Sequence, residues 1–81
     1  MSSKPRTDED IRKLKALGRA IRSGREVHGI SQEALAHQSG IDRSHMGKIE
    51  RGERNVTALN LLRIADALGV TVAEIFGEAG L

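Results

Sequence analysis

The chain has 81 residues, no cysteine, a single aromatic residue and a formal net charge of +2. That length is one domain, burying only about 60% of the surface its unfolded form exposes, so the core must be economical and a partner subunit would help. The absence of cysteine excludes a disulfide framework and a thiolate metal or redox site, apolar runs of two or three residues exclude a membrane span, and no signal-like apolar segment opens the sequence, so a cytoplasmic protein is expected.

The charge is unevenly spread. All 13 Lys and Arg fall within residues 1–63 beside 8 acids, giving +5, while residues 64–81 hold Asp66, Glu74 and Glu78 without a cation, giving −3. One end suits a polyanion and the other is repelled by it. Charge alone fits an ordinary solvated surface equally well, and the asymmetry gains meaning only where a polyanion-reading motif falls in the basic part.

Residues 1–7, with Pro5 and small polar side chains, read as a flexible tail ahead of a single domain over 8–81. Asp8, Glu9 and Asp10 place negative charge where the N-terminal dipole of a first helix favours it. Ile11, Leu14, Leu17 and Ile21, followed by Arg25 and His28, keep a three-to-four-residue period up to Gly29. Arg25 therefore falls on the inward face, and His28 reads as a partly buried packing residue. Gly18 lies on that face and permits close helix contact. Gly24 reads as lying off it, weakening the helix by up to ~1 kcal/mol relative to Ala.

Residues 31–52 read as two short helices joined by a tight turn at Gly40. Ser31 and Asp42 are N-cap candidates, and Gly52 can take the left-handed conformation that ends the second of these helices. Met46 and Ile49 point inward. Arg43, Ser44, Gly47, Lys48 and Arg51 follow the i, i+1, i+4, i+5, i+8 spacing of one outward polar face. A capped helix held by two apolar anchors, with cations and donors outward, is built as a duplex-reading element is built: the segment looks like a DNA-binding helix-turn-helix.

Beyond it, the loop 52–56 carries Arg54 and Asn55. A fourth helix is predicted over 58–68, with Leu59, Leu62, Ile64, Ala65 and Leu68 inward and Gly69 as its stop. A short fifth helix follows over 72–76 and ends at Gly77. Four helix starts share one device: Ile30 with Leu35, Ile41 with Met46, Val56 with Leu61 and Val70 with Ile75 each place a hydrophobe before the cap and another at the fourth helical position, and Thr71 with Glu74 adds a capping box. No alternating strand pattern occurs, so the fold expected is all-α, a compact bundle of five helices.

The outward cations have a definite chemistry. Arg in the major groove meets guanine O6 and N7 bidentately, and a good pair discriminates by ~1–3 kcal/mol. Arg43 and Lys48 have the reach for this, yet either serves a phosphate equally well, since half to two-thirds of protein–DNA hydrogen bonds go to phosphate and sugar. Ser44 reads a base only if the helix docks closely; Gly47 either allows that closeness or is merely tolerated. Gln32 joins a neutral amide to a helix N-terminus, which suits a phosphate oxygen. His45 is within reach of a phosphate, and His37 falls on the solvent face of the second helix. His28, His37 and His45 lack the i, i+4 spacing of a metal pair, so no metal or other cofactor is expected. Asp42, Ser44 and His45 resemble triad members by type alone, on one turn of one helix, and no enzyme is expected.

Several segments together resemble the lambda-repressor/Cro-type helix-turn-helix regulators: Ile21-Arg22-x-x-Arg25, Gly29-Ile30-Ser31-Gln32-Glu33-x-Leu35-Ala36, Ile49-Glu50-Arg51-Gly52 and Ile64-Ala65-x-Ala67-Leu68-Gly69-Val70. The run from Glu50 to Asn55 is also similar to the small controller proteins of restriction–modification systems. The chain departs from the family pattern at His28, where a hydrophobe is common, and at Gly47, midway along the reading helix. The resemblance implies a lambda-repressor-like fold with the helix-turn-helix at helices 2 and 3. It further implies that Gln32 bonds a phosphate, that Arg43, Ser44 and Lys48 face base edges, that residues near Arg54 and Asn55 touch the DNA backbone, and that Arg25 pairs with Glu50 inside the protein.

The expected function is sequence-specific binding of double-stranded DNA to regulate transcription, with Arg51 and His45 joining Gln32, Arg54 and Asn55 on the backbone. A helix-turn-helix reads half a site, so a two-fold homodimer on a palindromic operator is expected, with Val72, Phe76 and Leu81 of the acidic end as its contact. Phe76 serves equally well as a core plug. No ligand-sensing domain is expected within these residues. The competing reading is a helical protein–protein module of the same fold that does not bind DNA; such a relic would show acids or large apolar residues where this chain shows Arg43, Lys48 and Arg51. Single-strand or RNA binding needs stacking aromatics, and Phe76, the sole aromatic, lies in the acidic end.

Overall fold

A computed structural model describes residues 5–81; the tail expected over 1–7 lies, for residues 1–4, outside the described residues. Five helices follow in order: α1 (Asp8–Val27), α2 (Gln32–Ser39), α3 (Arg43–Glu50), α4 (Ala58–Leu68) and α5 (Val72–Ala79), with no strand among the described residues. Each begins at a Ser, Thr or Asp whose side chain accepts from the N–H three residues on: Thr7, Ser31, Asp42, Thr57 and Thr71, at 3.0–3.3 Å. These caps satisfy donors that have no partner within the helix and fix where each helix starts. Thr7 was expected in the tail; it instead forms a full capping box with Asp10. At α5 the box is incomplete, because the Thr71 hydroxyl donates to the Glu74 carboxylate at 3.2 Å in place of the backbone N–H.

The core is a single cluster. Ile21, Leu35, Met46, Ile49, Ile64 and Leu68 are its fully buried members, and Ile30, Val56 and Val70, which precede three of the caps, pack against it. The long α1 lies against α3 on one side and α5 on the other, while α2 packs on α3 and α4. Gly18 permits the α1–α3 contact: a Cβ there would lie 2.5 Å from the carbonyl oxygen of Ile49 and still nearer that of Glu50. Gly40 (φ +67°) makes the turn from α2 to α3, and Ile41 N–H then donates to the Ala36 carbonyl at 2.9 Å.

The expected interior needs four corrections. In α4, Leu61 is buried with Ile64, Ala65 and Leu68, whereas Leu59 and Leu62 are 56% and 52% exposed. The buried set keeps i, i+3, i+4, i+7 spacing, and a helix with apolar residues on several sides can turn only one stripe inward. In α5, Gly77 lies inside a helix that runs on to Ala79, where Ala79 packs against the core and Gly80 (φ +75°) makes the stop. An internal glycine costs only ~1 kcal/mol, which such packing offsets. His28 is exposed rather than packed; it ends α1, with Nδ1 2.9 Å from the Gly24 carbonyl oxygen. Gly24 does face a neighbour, since a Cβ there would lie 3.3 Å from Leu68 Cδ1.

Candidate nucleic-acid interface

α3 is short, so its pose depends on what grips it from behind. Met46 and Ile49 enter the core, and Glu50 is buried beside them with its side chain only 2% exposed. A carboxylate there is costly unless its charge and lone pairs are met. Arg25 of α1 meets them bidentately, Nε to Oε2 at 2.8 Å and Nη2 to Oε1 at 3.0 Å. Its Nη1 donates to the Ile30 carbonyl oxygen at 3.1 Å, so one guanidinium holds α1, the approach to α2, and α3 together. The hydrogen bonds from Arg25 to Glu50 hold the guanidinium charged even more firmly than usual.

Gln32 joins the same network. Its Nε2 donates to Glu50 Oε1 at 3.1 Å, so the side chain crosses from α2 to α3 and one amide hydrogen is used inside the protein. The first N–H groups of α2 have no intrahelical acceptor and remain the anion-seeking feature of this end. Gly47, expected on the outward polar face, is buried beneath that crossing: a Cβ would lie 3.2 Å from Gln32 Oε1 and 3.1 Å from Arg51 Nη1. It makes room for Gln32, which face-counting along one helix could not reveal.

Arg43 and Ser44 are exposed, and His45 and Lys48 are half-buried on the same side. Ser44, His45 and Lys48 line an open depression with Ile41, Asp42 and Asn60. Asn60 was missed in the sequence; its only signal is an amide in the first turn of an otherwise mainly apolar helix. Arg51, just past the end of α3, is exposed, with Nε donating to Glu53 Oε2 at 2.9 Å and Nη2 to Oε1 at 3.3 Å. Arg54 and Asn55 are exposed in the following loop. Arg6, also missed, reaches that loop and donates from Nη1 to the Glu53 carbonyl oxygen at 3.3 Å. Among the described residues there is no group of three or more His, Cys, Asp and Glu able to hold a metal ion. No helix among them is long and apolar enough to cross a membrane. At the far end, Phe76 and Leu81 are 36% and 45% exposed and Val72 is partly buried against the core.

Residues 21–75 match the helix-turn-helix family profile, more than half of the chain and all of α2, α3 and α4. The chain belongs to the helix-turn-helix family. Among its relatives, the control protein C.SmaI of Serratia marcescens is 40% identical over 72 residues, covering 89% of this chain and 83% of that protein. The crystal structure of the restriction-modification controller protein C.AhdI from Aeromonas hydrophila superposes with a TM-score of 0.77 at 46% identity, over 78% of this chain and 96% of that one. The clp gene regulator ClgR from Corynebacterium glutamicum superposes at 0.80 with 34% identity, over 86% and 72%. This helix-turn-helix protein thus has the lambda-repressor-like fold of DNA-binding transcriptional regulators. Its α2–turn–α3 segment is gripped from behind by the Arg25–Glu50 pair.

Proposed function

We propose that the chain is a sequence-specific duplex-DNA regulator that binds as a homodimer, with α3 of each protomer in the major groove of a palindromic operator. The observation that carries this reading is the two-sidedness of α3: Glu50 and Ile49 are locked to α1 and the core, while Arg43 and Ser44 stand exposed on the opposite side with Lys48 beside them. In this reading Arg43, Ser44 and Lys48 meet base edges, and Gln32, His45, Arg51, Arg54 and Asn55 meet the sugar–phosphate backbone. Similarity to C.SmaI and C.AhdI supports a controller-type role in the cytoplasm, where the chromosome lies. The contact between protomers is assigned to Val72, Phe76 and Leu81, away from the cations.

Selection of bound duplexes from a random pool tests the reading. The expected outcome is an enriched two-fold motif with half-sites about ten base pairs apart, the spacing of successive major grooves on one face. Recovery of unenriched sequence overturns it in favour of the protein-binding module.

A further inference from the structure

A carboxylate sits in the surface assigned to DNA, and it is held in place. Glu53 lies three residues past the end of α3; its N–H donates to the Lys48 carbonyl at 2.8 Å and its carbonyl accepts from Arg6 at 3.3 Å. With the backbone fixed at both polar groups, the side chain lies along Arg51 and takes two hydrogen bonds from that guanidinium. Lys48 and Arg54 also act on the Glu53 charge, and with Arg51 they hold its carboxyl below the usual range. An acid placed among three cations assigned to a polyanion opposes the partner those cations attract.

We propose that Glu53 masks Arg51 in the free protein and so suppresses binding to DNA of the wrong sequence. An exposed pair of this kind contributes little to stability, so DNA can open it. Opening it leaves an uncompensated carboxylate close to phosphates, a cost borne wherever the Arg51 guanidinium is drawn off Glu53 onto the backbone. A site that engages Arg43 and Lys48 with base edges leaves the pair closed, with Arg51 meeting the backbone through Nη1, and avoids most of that cost; a mixed sequence, which offers phosphate contacts alone, draws on the whole guanidinium and bears it. Glu53 is therefore assigned as a specificity-determining residue that acts through Arg51. This inference rests on the duplex-regulator reading above.

The test is Glu53→Gln, which keeps the size and one of the two acceptor oxygens and removes the charge. Binding is measured by fluorescence anisotropy on the selected site and on sheared genomic duplex of mixed sequence, each across a salt series. The expected result is mixed-sequence affinity raised about threefold or more at low salt, with a salt slope steeper by about one counterion. Affinity for the selected site should rise less, so the ratio between the two falls. In an Arg51→Ala background the gain from Glu53→Gln should drop by at least half. Unchanged affinities overturn the inference, as does a gain that is undiminished without Arg51. Loss on the selected site alone overturns it too, because the carboxylate would then be reading a base. Wild-type chain that binds neither duplex removes the regulator reading itself, an outcome distinct from wild-type binding that Glu53→Gln leaves unaltered.

Discussion

Arg25 and Glu50 lie 25 positions apart in sequence and meet through two charge-assisted hydrogen bonds, at 2.8 and 3.0 Å, behind the helix that faces outward. Because Arg25 also holds the Ile30 carbonyl and Glu50 also holds Gln32, this pair sets the angle between α2 and α3 as well as the depth of α3 in the core.

Removing Glu50 leaves the Arg25 guanidinium, with a side chain only 13% exposed, without its partner. Breaking a buried pair typically costs ~3–5 kcal/mol, enough to unfold a domain of this size. Glu50→Ala is expected to lose cooperative thermal unfolding by circular dichroism, while Glu50→Gln keeps the fold at reduced Tm. A Glu50→Ala melt superimposable on the parent's would show the pair to be dispensable.

Two glycines separate backbone clash from side-chain crowding. A Cβ at Gly18 meets the carbonyl oxygens of Ile49 and Glu50, which cannot move without moving α3, so Gly18→Ala should cost ~1–3 kcal/mol or more. A Cβ at Gly47 meets only the ends of the Gln32 and Arg51 side chains. Gly47→Ala should therefore stay within ~1 kcal/mol of the parent, since Ala's better helix propensity offsets the crowding. Its effect should appear in DNA affinity, through displacement of Gln32. Urea denaturation and anisotropy on the same samples check both halves; a Gly47→Ala protein less stable than Gly18→Ala would contradict the assignment.

The elements legible in the sequence were those set by neighbours within a turn. Ser31, Asp42, Thr57 and Thr71 declare helix starts through an oxygen that bonds three residues on, and those caps are present. What α4 buries was not legible, because Leu59, Leu61, Leu62 and Ile64 are alike in hydrophobicity and only the packing of α4 on α2, α5 and α1 chooses among them. The same holds at the interface. Gln32 and Glu50 are 18 positions apart, and nothing in either helix alone says that one amide will cross a glycine to reach the other. Arg51 reads as an outward cation because spacing along α3 carries no information on where the Glu53 side chain turns.

Base reading and backbone positioning give different mutational signatures. Arg43→Ala and Lys48→Ala should each relax preference at one or two base pairs per half-site, by ~1–3 kcal/mol. Gln32→Ala should weaken all sequences about equally and also lower Tm, because it removes a hydrogen bond to Glu50. Repeating the random-pool selection with each variant checks this; motifs identical to the parent's for both α3 variants would remove Arg43 and Lys48 from base reading.

The last prediction concerns the two-fold contact. Phe76, at 36% exposure, and Leu81, at 45%, are apolar surface on or just beyond α5, and residues 64–81 carry no cation that would hold this end to DNA. Val72 packs partly on the core, so a charge there disturbs fold and interface together. Phe76→Asp is the cleaner probe: an unpaired charge buried by association opposes dimerisation, while α5 keeps Ile75 in the core. The variant should keep the parent's helicity, sediment as a monomer, and bind the two-fold operator far more weakly, because each half-site must then be won independently. Sedimentation equilibrium decides the matter together with binding stoichiometry. A parent chain that stays monomeric at high micromolar concentration, and binds its operator one to one, would end the assignment.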